Sequence, residues 1–325
     1  MKISDFGERA LVELARRTFK KGLRVKVGIG DDAAAIDIDG RYLIVTTDML
    51  VAGTHFPHGT TAEQMGIKAV IVNLSDIAAM GAEPLALIFS VGLPRELDVN
   101  FVRRMIRGMD VTARRYGAYV VGGDLDETGD ITIAGAAFGL AKKDQLLTRS
   151  GAKPGDVIAV TGQLGAASAG LKILLERLPP KGYEKLIKAQ LEPIARVREG
   201  MLLAKNGAKA AIDLTDGLAA NLWQVSRMSR AKMIIDRDKV PIHPLVNKLS
   251  ERHGFDVEEF AFFSGEDFEM LFTLRRDIWE KVRRALKRIG TDATAIGYVS
   301  NGRGVYIQKQ GALEKLPDRG YEHFK

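Results

Sequence analysis

The spacing of hydrophobic positions predicts that helices and strands alternate along the whole chain. Apolar residues three or four apart indicate helices over residues 6–19 and 98–116, and Thr61 with Gln64 forms a capping-box pattern that begins another helix ending near Gly81. Short apolar runs bounded by glycine or acidic residues indicate strands. The predicted strands cover residues 42–46, 85–92, 118–121, 131–141, 157–161, 210–214, 232–235 and 268–274.

A polar stretch divides these elements into two groups. Residues 142–156 contain Gly151 and Pro154 and have no apolar period, which is typical of a linker. We therefore expect an α+β protein of two mixed α/β domains, residues 1–141 and 142–325. The length of 325 residues agrees with this division, since one domain usually takes about 100–200 residues.

Composition excludes several kinds of chemistry. The chain has no cysteine, which rules out disulfides, thiol nucleophiles and sulfur-bound zinc, and none of its five histidines are paired at ligand spacing. A metal would have to be held by oxygen, which favours Mg²⁺. No apolar run approaches the roughly 20 residues of a membrane span, and the first residues lack the apolar core of a signal peptide, so we expect a cytoplasmic protein without membrane contact.

The positive net charge indicates the kind of partner. It amounts to +7, yet the basic residues do not form one block. Clusters of five lie on the predicted helix over residues 98–116 and on a second amphipathic helix over residues 281–288, and a solvated helix face explains each. We expect no nucleic-acid partner. Small anionic substrates suit the same surplus of positive charge.

Acidic and hydroxyl residues cluster where predicted turns and strands meet. Asp31 and Asp32 follow a glycine turn, where they are either solvated turn residues or ligands. Thr46, Thr47 and Asp48 stand at a predicted strand exit, which is where α/β proteins usually bind ligands. These oxygen-bearing side chains would suit a hard cation.

Asp76 is the most informative single acid. It lies in a very apolar predicted helix, and burying an unpaired carboxylate costs several kcal/mol. It therefore needs a cation, either a metal ion or the basic partner of a structural salt bridge. Asn73 lies one turn earlier on the same face and could share that cation.

Three further segments combine acids with glycine or a helix start. Gly123 and Asp124 follow a short predicted strand, and Asp213, Thr215 and Asp216 precede a predicted helix, where backbone amides attract phosphate. Ordinary turn and helix-cap roles explain each of them separately, with Thr215 or Asp216 as the cap. The third segment, Ser264-Gly265-Glu266-Asp267, is equally compatible with a surface turn. The familiar phosphate-loop and protein-kinase motifs are absent, and Gly162-Gln163-Leu164-Gly165 is better explained by helix packing.

Taken together, these segments resemble the thiamine-monophosphate kinases, a family of the superfamily that also contains aminoimidazole ribonucleotide synthetase. The resemblance runs nearly from end to end. It rests on the motifs at residues 28–32, 46–56, 73–81, 122–124, 148–156, 212–217, 264–267 and 320–324.

The resemblance implies a set of site residues and partners. Ligands of several Mg²⁺ ions would be Asp32, Thr46, Thr47, Asp48, Asp76, Asp124, Asp213 and Asp216. Contacts to ATP would come from Gly123, Asp124, Arg149 and Thr215, and contacts to thiamine monophosphate from His55, Glu266 and Tyr321. It further implies a homodimer formed through the N-terminal sheet, a C-terminal domain of the aminoimidazole ribonucleotide synthetase type, and ATP between the two domains. Thr215 and Glu322 depart slightly from the family pattern, where serine and aspartate are common.

The resemblance also implies direct transfer of the ATP γ-phosphoryl group to thiamine monophosphate. The acceptor is already an anion, so we expect no residue to act as acid, base or nucleophile. Metal ions and Arg149 would position and neutralise the phosphates. The alternatives are another ATP-dependent enzyme of the same superfamily and a non-catalytic nucleotide-binding protein.

Overall fold

The computed structural model describes residues 2–324 and contains two β-sheets, one from each half of the chain. The elements of the first half are α1 (Glu8–Thr18), β1 (Val25–Val27), β2 (Ala34–Asp37), β3 (Arg41–Val51), α2 (Ala52–His55), α3 (Ala62–Ala79), β4 (Glu83–Leu93), α4 (Val99–Arg115), β5 (Tyr119–Glu127) and β6 (Thr132–Lys142). Their strands form a six-stranded sheet in the order β1-β2-β3-β6-β4-β5. Only its last pair, β4 with β5, is parallel.

The second half begins after residues 143–156, which carry no helix or strand. Its elements are β7 (Val157–Thr161), α5 (Ala166–Leu175), α6 (Glu184–Leu191), α7 (Val197–Lys205), β8 (Ala210–Asp213), α8 (Leu218–Ser229), β9 (Lys232–Asp236), α9 (Pro244–His253), β10 (Met270–Leu274), α10 (Trp279–Arg288), β11 (Ala293–Ser300), β12 (Gly304–Lys309) and β13 (Ala312–Lys315). A seven-stranded sheet orders them β13-β12-β9-β11-β7-β10-β8. The expected α+β class with two mixed halves is confirmed, whereas the boundary between residues 141 and 142 stays a prediction.

Helix α3 packs against elements of both halves. It begins with the predicted capping box, in which Gln64 N–H donates to Thr61 Oγ1 at 3.2 Å and Thr61 N–H to Gln64 Oε1 at 3.0 Å. It contacts β3 and β6 in the first half and α7 and β8 in the second. One hydrophobic core accordingly joins Ile71 of α3 to Leu203 and Phe272. This helix is thus well placed to bring residues of both halves together.

Two strands continue beyond their predicted ends. Strand β3 runs to Val51 because it pairs with β6 along its whole length, so Thr46 to Asp48 lie inside a strand and not at its exit. Strand β5 runs to Glu127 along β4, so Gly123 and Asp124 also lie within a strand. Long-range pairing decided both ends, and the local residue pattern does not report it.

Two helices begin later than predicted. The N-terminal end of α1 is capped by the backbone of Gly7, and α8 begins after Gly217, which has a φ of 101° and no side-chain cap. Neither Thr215 nor Asp216 therefore caps α8. Among residues 2–324, no helix combines the length and apolarity needed to cross a membrane.

Candidate active site

Three carboxylates from both halves of the chain meet beside α3. Asp32 precedes β2, Asp76 lies near the end of α3, and Asp213 ends β8. One carboxylate oxygen from each lies within 4.8 Å of the others, the geometry of a metal-binding group. Asp32 and Asp213 are buried, whereas Asp76 is partly exposed. The cluster thus opens towards solvent on the side of Asp76.

The electrostatics of this cluster are unfavourable without a cation. Burial, followed by the charges of Asp48, Asp213 and Asp32, raises the pKa of Asp76 well above its usual range. Burial and Asp32 do the same to the pKa of Asp213. Oxygen Oδ2 of Asp32 is buried and has no hydrogen-bond partner among the described residues. A hard oxygen atom that lacks a partner suits Mg²⁺.

Arg149 connects the cluster to the second half. Its Nε and Nη2 donate to Asp32 Oδ1 at 3.1 and 2.7 Å, and its Nη1 donates to Gln224 Oε1 at 2.5 Å. Gln224 Nε2 in turn donates to Asp216 Oδ2 at 3.2 Å. A charged guanidinium and a chain of hydrogen bonds therefore run from Asp32 to Asp216.

Strand β3 supplies two further groups to the same place. Thr46 Oγ1 donates to Asp76 Oδ2 at 2.5 Å, and Asn73 Oδ1 accepts the backbone N–H of Asp48 at 3.2 Å. Burial and the charge of Asp216 raise the pKa of Asp48 to about 6. Asn73 therefore helps to orient the strand that bears Asp48, and its sharing of the cation of Asp76 stays a prediction.

Three predicted site residues lie elsewhere in the described chain. The hydroxyl of Thr47 donates to Gly135 O at 2.8 Å, and alternation along β3 directs it away from Thr46 and Asp48. Gly123 and Asp124 lie on the exposed edge strand β5, three strands from β3 or about 14 Å at the usual strand spacing. A Cβ at position 123 would lie 1.9 Å from Phe89 O, so only glycine fits there. Their roles stay predictions.

The loop with Glu266 packs directly on Thr215. Glu266 N–H donates to Thr215 O at 2.9 Å, and a Cβ at Gly265 would lie 1.7 Å from that same oxygen. Glu266 itself has a φ of 67°, a conformation that costs a non-glycine residue free energy. The next residue, Asp267, accepts the N–H of Gly165 at 2.8 Å. The backbone amide of Gly165, in the glycine motif before α5, is therefore bound by a carboxylate of the same chain.

His55 and the C-terminal tail form an aromatic group near Asp216. Tyr321 N–H donates to Asp216 O at 3.0 Å. The His323 ring lies 5.0 Å from the Tyr321 ring and 5.7 Å from the His55 ring. Burial lowers the pKa of His55, so its ring is uncharged at neutral pH. The group offers half-exposed aromatic faces beside the acids.

Sequence reasoning missed the residues that hold these groups in place. Ser75 donates its hydroxyl to Asp213, and Gln224 bridges Arg149 and Asp216. Lys68 and Gln190 are buried and both contact Glu266. Only Lys68 gave a signal, as a single basic residue within the apolar stretch of α3.

This fold and the facing acids define a class of protein. Residues 30–141 match the family AIR synthase related protein, N-terminal domain, and residues 153–310 match AIR synthase related protein, C-terminal domain. The chain therefore has the two-part architecture of an AIR synthase related protein.

Individual relatives narrow the class to one family. The thiamine-monophosphate kinase of Pyrococcus horikoshii is 41% identical and the alignment covers 91% of each chain, and that of Aquifex aeolicus is 33% identical and covers 100% of each. A solved structure described as "AaThiL complexed with AMPPCP and TMP" has a TM-score of 0.89 and 32% identity and covers 99% of each chain. The chain belongs to the thiamine-monophosphate kinase family, as its motifs predict.

Proposed function

We propose that this chain transfers the γ-phosphoryl group of ATP to thiamine monophosphate, giving thiamine diphosphate and ADP. The observation that supports this most directly is the meeting of Asp32, Asp76 and Asp213 beside Arg149. Two anionic substrates repel each other, so such a reaction requires neutralising cations and accurate positioning. A largely buried acidic cluster next to a guanidinium provides ligands for the neutralising cations and an anchor that positions the phosphates.

The metal is proposed to be Mg²⁺, held mainly by the acids at α3. The direct support is the oxygen-only chemistry of the cluster and the unpartnered Asp32 Oδ2. When bound, Mg²⁺ neutralises phosphate charge and helps to align the reacting oxygens. The proposed ligands remain Asp32, Thr46, Thr47, Asp48, Asp76, Asp124, Asp213 and Asp216.

The residues of the chain itself bind and orient the substrates. Arg149 and Thr215 are proposed to contact ATP together with Gly123 and Asp124. Arg149 is already fixed by Asp32 and Gln224, so it would present its charge without reorganisation. The acceptor phosphate is itself the nucleophile, and no side chain need take a proton from it.

The aromatic group beside Asp216 is proposed to receive the rings of thiamine monophosphate. The face of Tyr321 suits the cationic thiazolium ring, and the neutral His55 ring does not repel it. Glu266, one loop away, supplies hydrogen-bond acceptors. His55, Glu266 and Tyr321 would bind the rings, which leaves the acidic cluster itself for the phosphates.

We also propose that the chain forms a homodimer through the first sheet. Every residue of the edge strand β5 is exposed, including Tyr119, Val121 and Leu125. Unpaired strand edges with apolar side chains are sites of association. We retain the expected domains, residues 1–141 and 142–325, and a cytoplasmic location as proposals.

An ADP-release assay tests the proposed activity. Purified protein with ATP and Mg²⁺ should release ADP on addition of thiamine monophosphate but not of thiamine, and thiamine diphosphate should appear in equal amount. A matched reaction with an aminoimidazole precursor tests the alternative superfamily activity. ADP release with that precursor, and none with thiamine monophosphate, would overturn the proposal.

A further inference from the structure

Lys68 is a buried cation that the reaction described above does not use. It lies in the second turn of α3, between Ile67 and Ala69, and is almost completely shielded from solvent. A buried ammonium group is costly unless anions and hydrogen-bond acceptors surround it. Its contacts therefore indicate what it stabilises.

The ammonium group of Lys68 connects the two segments assigned to the acceptor substrate. Its Nζ lies 2.6 Å from Glu266 Oε1 and donates to the backbone carbonyl of His55 at 3.2 Å. One belongs to the loop before β10 and the other to the short helix after β3. One buried cation thus fixes both segments relative to α3.

Glu266 is constrained from its other side by Gln190. Gln190 Nε2 donates to Glu266 Oε2 at 2.6 Å, while Gln190 Oε1 is buried and has no partner within residues 2–324. Each oxygen of Glu266 therefore has one protein donor, and its charge is balanced by Lys68. A carboxylate in this state suits neutral N–H donors better than it suits a second cation.

Helix α3 also relates this group to the acidic cluster. Lys68 and Asp76 are eight residues apart on α3, a rise of about 12 Å along the helix axis. Since both are anchored on one rigid helix, the distance between ring recognition and phosphate chemistry is fixed by that helix.

We propose that Lys68 is a positioning residue for the acceptor substrate, which it serves by holding Glu266 and His55 at a set distance from the acids. This rests on the proposed function. Glu266, so held, recognises N–H donors such as the amino group of the substrate's pyrimidine. Gln190 shares this task through its unpaired carbonyl oxygen. ATP recognition does not involve the group.

Kinetics of three lysine variants test the proposal. Lys68→Met should raise the KM for thiamine monophosphate by about tenfold or more, the effect of losing one charged hydrogen bond, and leave the KM for ATP within about twofold. Lys68→Arg should recover part of the loss. Lys188→Met is the matched control, because Lys188 is exposed on α6 near Gln190 and pairs only loosely with Glu192, at 3.7 Å.

A double-mutant cycle distinguishes the proposed role of Lys68 from an effect of misfolding. Lys68→Met/Glu266→Gln removes both charges of the ion pair between the buried Lys68 and the partly exposed Glu266 and should keep the circular dichroism spectrum of the wild type. If Lys68 acts through Glu266, the second substitution should change the acceptor KM far less in the Lys68→Met background than in the wild type.

The outcomes separate this inference from the proposed function. Suppose that the wild-type protein turns over thiamine monophosphate. If Lys68→Met then raises the KM values for ATP and for thiamine monophosphate equally, or if the effects of Lys68→Met and Glu266→Gln are independent in the cycle, the inference alone is overturned. A wild-type protein that neither binds nor turns over thiamine monophosphate overturns both.

Discussion

Neutralising Asp31 should stabilise the metal-free protein at neutral pH. Asp31 accepts the backbone N–H of Arg149 at 3.0 Å, and burial and the adjacent Asp32 raise its pKa to about 6 from an ordinary value of 3.8. Between these two values the folded protein binds more protons than the unfolded chain, so the free energy of unfolding falls as pH rises. The difference of about 2.2 pKa units corresponds to about 3 kcal/mol.

The substitution Asp31→Asn isolates this contribution. The amide keeps an acceptor for Arg149 and has no charge to lose, so the variant should gain relative to the wild type as pH rises. From about pH 5 to pH 8, the free energy of unfolding of Asp31→Asn should rise by about 1.4 kcal/mol relative to that of the wild type. This is the part of the total of about 3 kcal/mol that is lost by the wild type within that pH range. Guanidinium unfolding in EDTA, followed by far-ultraviolet circular dichroism, measures it. A stability difference that stays constant with pH, or changes in the opposite direction, would refute the reasoning.

Three further substitutions test separate parts of the molecule. Asp213→Asn should lower kcat by about 10²–10³-fold and remove the rise in unfolding midpoint caused by Mg²⁺. Steady-state kinetics and unfolding in Mg²⁺ or in EDTA measure these two effects. Asp110→Asn, at an exposed position, serves as the control. Tyr321→Ala should raise the KM for thiamine monophosphate by about tenfold, and an equal rise for ATP would count against the assignment. Glu269→Gln takes from the partly buried guanidinium of Arg196 the carboxylate that its Nε and Nη2 both contact, while Glu199 stays at 3.4 Å, and should lower the free energy of unfolding by about 1–3 kcal/mol in urea titrations; an unchanged midpoint would contradict the importance of that pair.

Local signals in the sequence located the elements of the fold well. The capping box at Thr61 predicted the beginning of α3, and the apolar run of residues 157–161 matched β7 without error. Such features depend on neighbouring residues alone. The ends of strands were not predicted correctly, because β3 and β5 continue as far as their pairing with strands from distant parts of the chain allows.

The sequence pointed to the acidic residues of the candidate site but not to the residues that hold them in place. Asp76 stood out because a carboxylate in an apolar helix demands a partner. Ser75, Gln224 and Gln190 carry no such signal, since their types are common in helices and their contacts lie tens of residues away in the chain. Only the folded arrangement reveals that they orient Asp213, Arg149 and Glu266.

The acidic cluster sets stability against activity. Its carboxylates are held together by the hydroxyls of Thr46 and Ser75 and by one guanidinium, that of Arg149, while burial and mutual repulsion raise their pKa values. These hydrogen bonds hold the carboxylates close to one another. They do not remove the repulsion between the negative charges, which cations would neutralise on binding. Replacing one acid by its amide should therefore stabilise the metal-free fold and reduce turnover at once. A site assembled from both halves has a second consequence, since cations bound there would also join the two halves across α3.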